Sequence, residues 1–242
     1  LTDKGQYLAE NNPKSLATAA NEYAGDLLHR WFKLTDIIRG EEIPQDIFET
    51  VVADRARSIE HHKMLSSYAL HDYPVLIGKI DFKESDVIFD AGGGDGTLAR
   101  LIAQQHPKAR VISGDKKGAV SKLPDDIETI IFDFFNPWPL SANKVILARV
   151  IHDWNDEQAI TILQNAKEAL EPGGEVILFE MLLSKDSFSG ALCDLHLMVA
   201  TGGQERTAEH YESLLNCVGL CLEEVISGPD HVSILRARNA SV

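Results

Sequence analysis

The sequence is short of cysteine: Cys193, Cys217 and Cys221 are the three in 242 residues. They make no CxxC pair and are odd in number, which indicates neither a zinc site nor a disulfide framework and fits a reducing, cytoplasmic setting. Long apolar runs are missing as well. Nothing approaches the ~20 residues needed to cross a bilayer, and no charged stretch leads into an apolar export segment, so a soluble, unexported protein is expected. Positive charge is scarce: 23 Lys and Arg face 37 Asp and Glu, a formal charge of -14. No Lys/Arg cluster tracks a phosphate backbone, which argues against nucleic acid and anionic membrane surfaces as partners.

What is present is ordinary for a globular chain with a well-buried core, 44% hydrophobic and 25% charged. Up to residue 80 the apolar spacing is three and four, as in "SLATAANEYAGDLLHRWFKLTDIIRG", which predicts helices. Ile43, Pro44 and Gln45 interrupt this pattern, and a second helical stretch ends before Tyr73-Pro74. After residue 85 short β-branched runs alternate with amphipathic stretches. "DVIFDA", "ARVISGD", "ETIIFDF", "NKVILAR", "GEVILFEM", "LCLEEVI" and "HVSILRA" are the candidate strands. The clearest helix between them opens on an Asn155 cap and closes at Pro172-Gly173. Strands separated by helices predict an α/β fold: a Rossmann-like, seven-stranded, mainly parallel sheet with helices on both faces, preceded by a helical segment. The last two strands have no helix between them and are expected as an antiparallel pair at one edge. The expected division is 1–80, helical, and 81–242, the α/β domain that holds the sheet.

Ligands of such sheets bind at the carboxyl ends of the strands, where the strand order reverses. The first strand ends in "FDAGGGDGTLA", four glycines between positions 92 and 96. A dinucleotide fingerprint needs glycines at relative positions one, three and six. Counting from Gly92 the sixth place is Thr97, and counting from Gly94 it is Ala99, a weaker variant. Bare backbone at Gly92, Gly93 and Gly94 permits positive φ and close approach, and its N–H groups can meet a carboxylate as readily as a phosphate. Asp115 ends the second strand, nineteen residues beyond Gly96, where an acid can accept from ribose hydroxyls. Asp133 and Phe134 end the third.

The spacing Asp90-x-Gly92-x-Gly94-x-Gly96 resembles the first motif of class I S-adenosylmethionine-dependent methyltransferases. "RVIHDWNDE" (149–157), "ALEPGGEVILFEMLL" (169–183) and "DLHLMVATGGQERTAEHYESLL" (194–215) narrow the resemblance to the small-molecule O-methyltransferases of plant caffeate and hydroxyindole type and of bacterial natural-product pathways. It is close over about 85–238. It implies the seven-stranded methyltransferase sheet, S-adenosylmethionine as cofactor with S-adenosylhomocysteine as product, no metal, and methyl transfer to a phenolic or enolic hydroxyl of a small natural product. By position it implies His152 as general base, Glu180 and Glu205 as its flanking acids, and Asp133 and Phe134 around adenine. Gly92, Gly93, Gly94 and Arg149 fall at the methionine end, and Asp153, Met64 and His196 at the acceptor. Many relatives carry Lys where Ala148 stands, which leaves the cofactor's carboxylate to the glycine loop and Arg149.

Chemistry supports the base independently: imidazole (reference pKa ~6.5) takes a proton at neutral pH, whereas a phenol (~10) keeps its own. The resemblance further implies an N-terminal winged-helix module through which a homodimer forms, of which "LTDKGQYL" reads as the last turn. The segment from Asp115 to Asp133 and the connection from Glu42 to Phe48 are shorter than the family pattern. Other readings stay open: a methyltransferase fold that has turned to decarboxylation, hydroxylation or rearrangement, a nicotinamide-dependent dehydrogenase, and a binding protein without activity.

Overall fold

The computed structural model describes residues 1–42, 47–117, 123, 127–184, 188–228 and 232–240, with backbone alone at 49, 50, 52 and 189. The interruption expected at Ile43, Pro44 and Gln45 lies outside the described residues, as do residues 118–122 and 124–126 of the short segment between Asp115 and Asp133.

A 3-10 turn (Lys4–Leu8) leads into α1 (Ala17–Ala24), α2 (Asp26–Trp31), α3 (Leu34–Ile38), α4 (Ile47–Ala53) and the long α5 (Arg55–Ile77). Asp54 starts α5, its carboxylate accepting from the N–H groups of Ala56 and Arg57 at 2.8 and 3.3 Å. The sequence places the end of α5 before Tyr73-Pro74, but the helix runs on through Pro74 to Ile77. Pro74 has no N–H for the carbonyl four residues back, a cost of about 3 kcal/mol in a helix interior. Leu76 and Ile77, both wholly buried, offset it, since each large apolar side chain contributes about 1.5–3 kcal/mol on burial.

The remaining elements alternate: β1 (Val87–Ala91), α6 (Thr97–Gln105), β2 (Arg110–Asp115), β3 (Ile127–Ile131), β4 (Ala142–Ala148), α7 (Asp156–Glu168), β5 (Leu170–Met181), α8 (Phe188–Ala200), α9 (Ala208–Cys217), β6 (Leu220–Ser227) and β7 (Val232–Asn239). The sheet order is β3-β2-β1-β4-β5-β7-β6. β1 to β5 pair in parallel, and β7 is antiparallel to both β5 and β6. The expected antiparallel edge pair is therefore present, with β7 inserted inside β6. Chain order reverses between β1 and β4, so the ligand crevice belongs at their carboxyl ends.

Two boundaries differ from expectation. α7 opens on an Asn155 capping box with Gln158 but ends at Glu168, short of Pro172-Gly173. By Leu170 the chain has already paired with Ala142 of β4, and the Ala142 N–H donates to the Ala169 carbonyl at 2.8 Å. β3 ends at Ile131, which puts Asp133 in the following turn rather than on the strand.

Strand residues alternate between two apolar layers, as a sheet covered on both faces requires. Phe89, Val145, Leu147, Val176 and Leu178 pack with Ile162 and Leu163 of α7 and Tyr211 and Leu215 of α9. Ile88, Ile146, Ile177 and Phe179 pack with Leu98 and Ile102 of α6 and with Tyr73, Leu76 and Ile77 of α5. The boundary expected at residues 80–81 falls in the loop between α5 and β1. α5 nevertheless shares its apolar layer with the sheet, and this brings its remaining faces over the strand ends. Leu76→Ala is expected to lower unfolding free energy by about 2–5 kcal/mol in denaturant titration. Lys108→Ala, which removes an ion pair to Glu84 whose lysine side chain is 70% exposed, is expected to cost less than about 1 kcal/mol.

Candidate active site

A cavity of about 590 Å³ opens at the carboxyl ends of β1, β2 and β4, between the sheet, α5 and α8. The glycine loop forms its floor. Gly92 has φ 85°, and a Cβ there would stand 2.7 Å from Val150 and 2.9 Å from Phe134, so backbone alone fits. At Gly93 a Cβ would stand 2.2 Å from the Ser113 hydroxyl and 2.7 Å from the Asp90 carboxylate.

Three strand-end acids behave differently. Asp90 is 1% exposed, and its Oδ2 has no hydrogen-bond partner among the described residues. Burial, then the nearby Asp115 and Asp95, push its carboxyl up to about 7. Asp115 accepts from the Gly94 and Lys116 N–H groups at 2.9 and 2.6 Å, which leaves second lone pairs for further donors. Burial raises its pKa against those two bonds. Asp133 does not reach the cavity: it is exposed and closes its own turn, accepting from the Phe135 N–H at 3.0 Å and the Asn136 amide at 3.1 Å. Its neighbour Phe134 does line the cavity.

His152 stands in a 3-10 turn (Ile151–Asp153) after β4, reached through Arg149 at φ 55°. Its Nδ1 lies 3.2 Å from Glu205 Oε1 and 3.4 Å from Glu180 Oε2, so Nε2 is the ring nitrogen left for the cavity. Glu180, on β5, uses its other oxygen to accept from the Ile151 N–H at 2.9 Å. Glu180 and Glu205 are buried side chains, and the Oε2 of each accepts no hydrogen bond among the described residues, the Glu180 one being the oxygen that faces His152. Burial alone would lower the imidazole pKa, but Glu180, Asp153 and Glu205 together raise it well above its ordinary value. Burial in turn pushes Glu180 upward against the pull of His152. One donor atom from each of His152, Glu180 and Glu205 lies within 4.8 Å of the others, a grouping that a metal ion could also use.

The acceptor-side residues also converge. Met64, Asp153, His196 and Arg149 line the same cavity. Asp153 Oδ2 is 3.9 Å from His152 Nε2. His196 accepts at Nδ1 from the Trp31 indole at 3.3 Å; because indole only donates, the proton of His196 is on Nε2. Burial and the nearby His152 push its pKa down to about 4, so the ring is neutral. Arg149 pairs with Asp72 of α5.

Several wall residues were not singled out from the sequence. α5 presents two rows to the cavity. His62 and Ser66 meet the glycine loop at Gly94 and Asp95, while Tyr68 and Asp72, in the row that Met64 begins, face Tyr23 and Arg149. Their i, i+4 spacing was visible, but which row would face a ligand depends on how α5 crosses the sheet. Trp154 was visible beside His152. Lys116 lies 5.4 Å from its ring centroid and Phe135 4.9 Å.

With this geometry in view, the comparisons with known proteins are specific. The O-methyltransferase domain family matches residues 31–221, and the chain belongs to that family. It is 32% identical over 174 residues to the phenazine O-methyltransferase PhzM of Lysobacter antibioticus, covering 67% of this chain and 51% of that protein. It is 32% identical over 234 residues to acetylserotonin O-methyltransferase of Gallus gallus, covering 88% and 67%. The chain thus spans about half the length of the first relative and two thirds of the second. Among solved structures, the O-methyltransferase NcsB1 of neocarzinostatin biosynthesis superposes with a TM-score of 0.86 at 25% identity, over 100% of this chain and 78% of that one. That structure holds S-adenosyl-L-homocysteine and 1,4-dihydroxy-2-naphthoic acid.

The buried Asp90 gives a test of the site's electrostatics. In the unfolded chain it ionises near 3.8, so between about pH 4 and 7 the unfolded state releases a proton that the folded state keeps, and stability falls as pH rises. Asp90→Asn is expected to gain on the wild type over that window by up to about 4 kcal/mol, read as the difference in denaturant midpoints at pH 4.5 and 8. A constant offset would mean that Asp90 ionises freely.

Proposed function

We propose that this chain is the catalytic part of an S-adenosylmethionine-dependent O-methyltransferase acting on a phenolic or enolic hydroxyl of a small aromatic natural product. The observation that carries the proposal is His152, held at Nδ1 by Glu180 and Glu205, with Nε2 left for the same cavity whose floor is the glycine loop. The residues present fit the cofactor. Asp90 offers a buried carboxyl with one unpartnered oxygen beside backbone that tolerates no Cβ, suited to the ammonium end of an amino acid, and Asp115 keeps lone pairs for ribose hydroxyls. Phe134 and Trp154 supply apolar faces for a base. Arg149, in the wall but paired with Asp72, is proposed for the cofactor's carboxylate. When bound, the cofactor supplies a methyl group already activated by its sulfonium.

The protein's share is to place the acceptor oxygen and remove its proton. An unperturbed imidazole lies about 3.5 pKa units below a phenol, some 5 kcal/mol uphill. Raising His152 toward the phenol's own value makes the transfer nearly even, and Glu180 and Glu205 stabilise the imidazolium that forms and fix Nδ1 as the protonated nitrogen. Asp153 is proposed to contact a second polar group of the acceptor, with Met64 and neutral His196 bounding the ring. The phenazine O-methyltransferase among the relatives and the dihydroxynaphthoic acid held by NcsB1 support a planar ring system as acceptor. A homodimer and a cytoplasmic location are proposed on the family resemblance. Among the described residues no helix is long and apolar enough to cross a membrane.

Isothermal titration is expected to show binding of S-adenosylmethionine and S-adenosylhomocysteine but not NAD, lost in Asp115→Ala. Preference for NAD would overturn the proposal. With 1,4-dihydroxy-2-naphthoic acid and related phenols as acceptors, His152→Ala is expected to lower kcat by about 10²–10⁴ with cofactor affinity kept. Turnover without a methylated product would favour a non-methylating reaction. The acid limb of the kcat profile should lie above pH ~6.5, because the base must be neutral to accept, and Glu205→Gln should move it downward.

A further inference from the structure

We propose that Arg206 is a positioning residue for His152, fixing the main chain of the turn that presents the imidazole to the cavity. Arg206 is wholly buried, an environment in which a guanidinium persists only if its donors are met. They are met by the catalytic turn. Nη1 donates to the Ile151 carbonyl at 3.1 Å and Nη2 to the Trp154 carbonyl at 2.7 Å, so the two bonds bracket His152 and Asp153. Nε and Nη2 also reach Asp156 Oδ1, the first residue of α7, at 3.0 and 2.8 Å. The guanidinium carbon is 5.9 Å from the Tyr211 ring centroid.

The residues just before Arg206 grip the same turn. The Gln204 N–H donates to the His152 carbonyl at 2.8 Å, and the Gln204 amide donates to Asp156 Oδ1 at 3.0 Å. Glu205 holds the ring at Nδ1. At Gly203 a Cβ would stand 2.1 Å from the His152 carbonyl oxygen, so the two backbones touch there. The segment 203–206 is therefore a template: Glu205 orients the ring while Gln204 and Arg206 hold the peptide that carries it. The turn cannot do this alone, being a single 3-10 turn entered through a left-handed Arg149. Only the planar fork of arginine serves two carbonyls and a carboxylate together; lysine would restore the charge but not the fork. Asp156 secures the outer end, its other oxygen bound to His210 Nε2 at 2.9 Å.

The catalytic meaning rests on His152 being the base, but the positioning is testable without an acceptor. The measurement is the imidazole titration of His152 in full-chain protein labelled with 15N-histidine, its resonance assigned with His152→Gln. The groups facing the ring are Glu180, Glu205, Asp153 and His196. Arg206→Met is expected to drop the His152 midpoint toward ~6.5 by about one pH unit or more, because the ring slides from its carboxylates, while S-adenosylhomocysteine binding is kept. Arg206→Lys should fall between Arg206→Met and wild type, and Asp156→Asn should shift the same way by less. On 1,4-dihydroxy-2-naphthoic acid or another accepted phenol, kcat should fall about 10- to 100-fold in Arg206→Met with KM changed less than about threefold, the mark of a misplaced group rather than lost binding. An unchanged midpoint in Arg206→Met that still binds S-adenosylhomocysteine would overturn the inference. Should that variant not fold, unchanged midpoints in both Arg206→Lys and Asp156→Asn would overturn it instead. If the midpoint moves as expected while His152→Ala retains methyl transfer, the base assignment fails and the positioning role stands.

Discussion

The imidazole of His152 sits between the carboxylates of Glu180 and Glu205, and this contact ties together three stretches of chain that are distant in sequence. Each group is buried, so none can exist charged without the others; removing one would strand an uncompensated charge in a low-dielectric site. The contact is possible because β5 is a central strand that delivers Glu180 at its carboxyl end, and because the segment after α8 folds back against the turn after β4. The Ile151 N–H bonded to Glu180 joins the ring's own support to its backbone. A demand for charge compensation at one ring thus becomes a demand on the register of β4, β5 and the 203–206 segment.

The crevice around this contact is acidic. Asp90, Asp95, Asp115 and Asp153 line it, Glu180 and Glu205 stand behind His152, and Arg149 in its wall is paired with Asp72. Such a site repels phosphates and favours ligands with positive charge, which supports the proposed sulfonium cofactor over a dinucleotide. The glycines then act as a surface of approach rather than as an anion cradle. The chain's net charge of -14 does not produce this by itself; what matters is that the parallel sheet brings three acidic strand ends to one side.

The fold was largely legible because parallel strands buried on both faces leave near-continuous apolar runs, and each of the seven runs became a strand. Errors fell where a local signal met a tertiary one. Pro74 reads as a helix end, yet the burial of Leu76 and Ile77 carries the helix past it. Pro172-Gly173 reads as the close of α7, but pairing between Ala142 and Leu170 ends the helix earlier. Asp133 matches a motif position, and the structure leaves it exposed in the turn after β3, each carboxylate oxygen accepting one bond from that turn. His152, Glu180 and Glu205 could be named because they lie within long motifs, whereas Tyr23, Tyr68, Asp72 and Trp31 could not. They come from helices whose amphipathic faces look alike until docking decides which one covers the crevice.

By itself the sequence determined the alternation of strands and helices, the glycine turn after β1, and the presence of an imidazole and several acids at strand ends, because these rest on local periodicity and backbone freedom. Only the tertiary structure decided which acids would be buried and which solvated. Asp90 and Asp133 both follow apolar runs in the sequence, and one is sealed beneath the glycine loop while the other faces water. That difference depends on the low-dielectric surroundings assembled from α5, α8 and the 203–206 segment, and so does the basicity of His152. An imidazole's proton affinity is set by the charges that folding places around it.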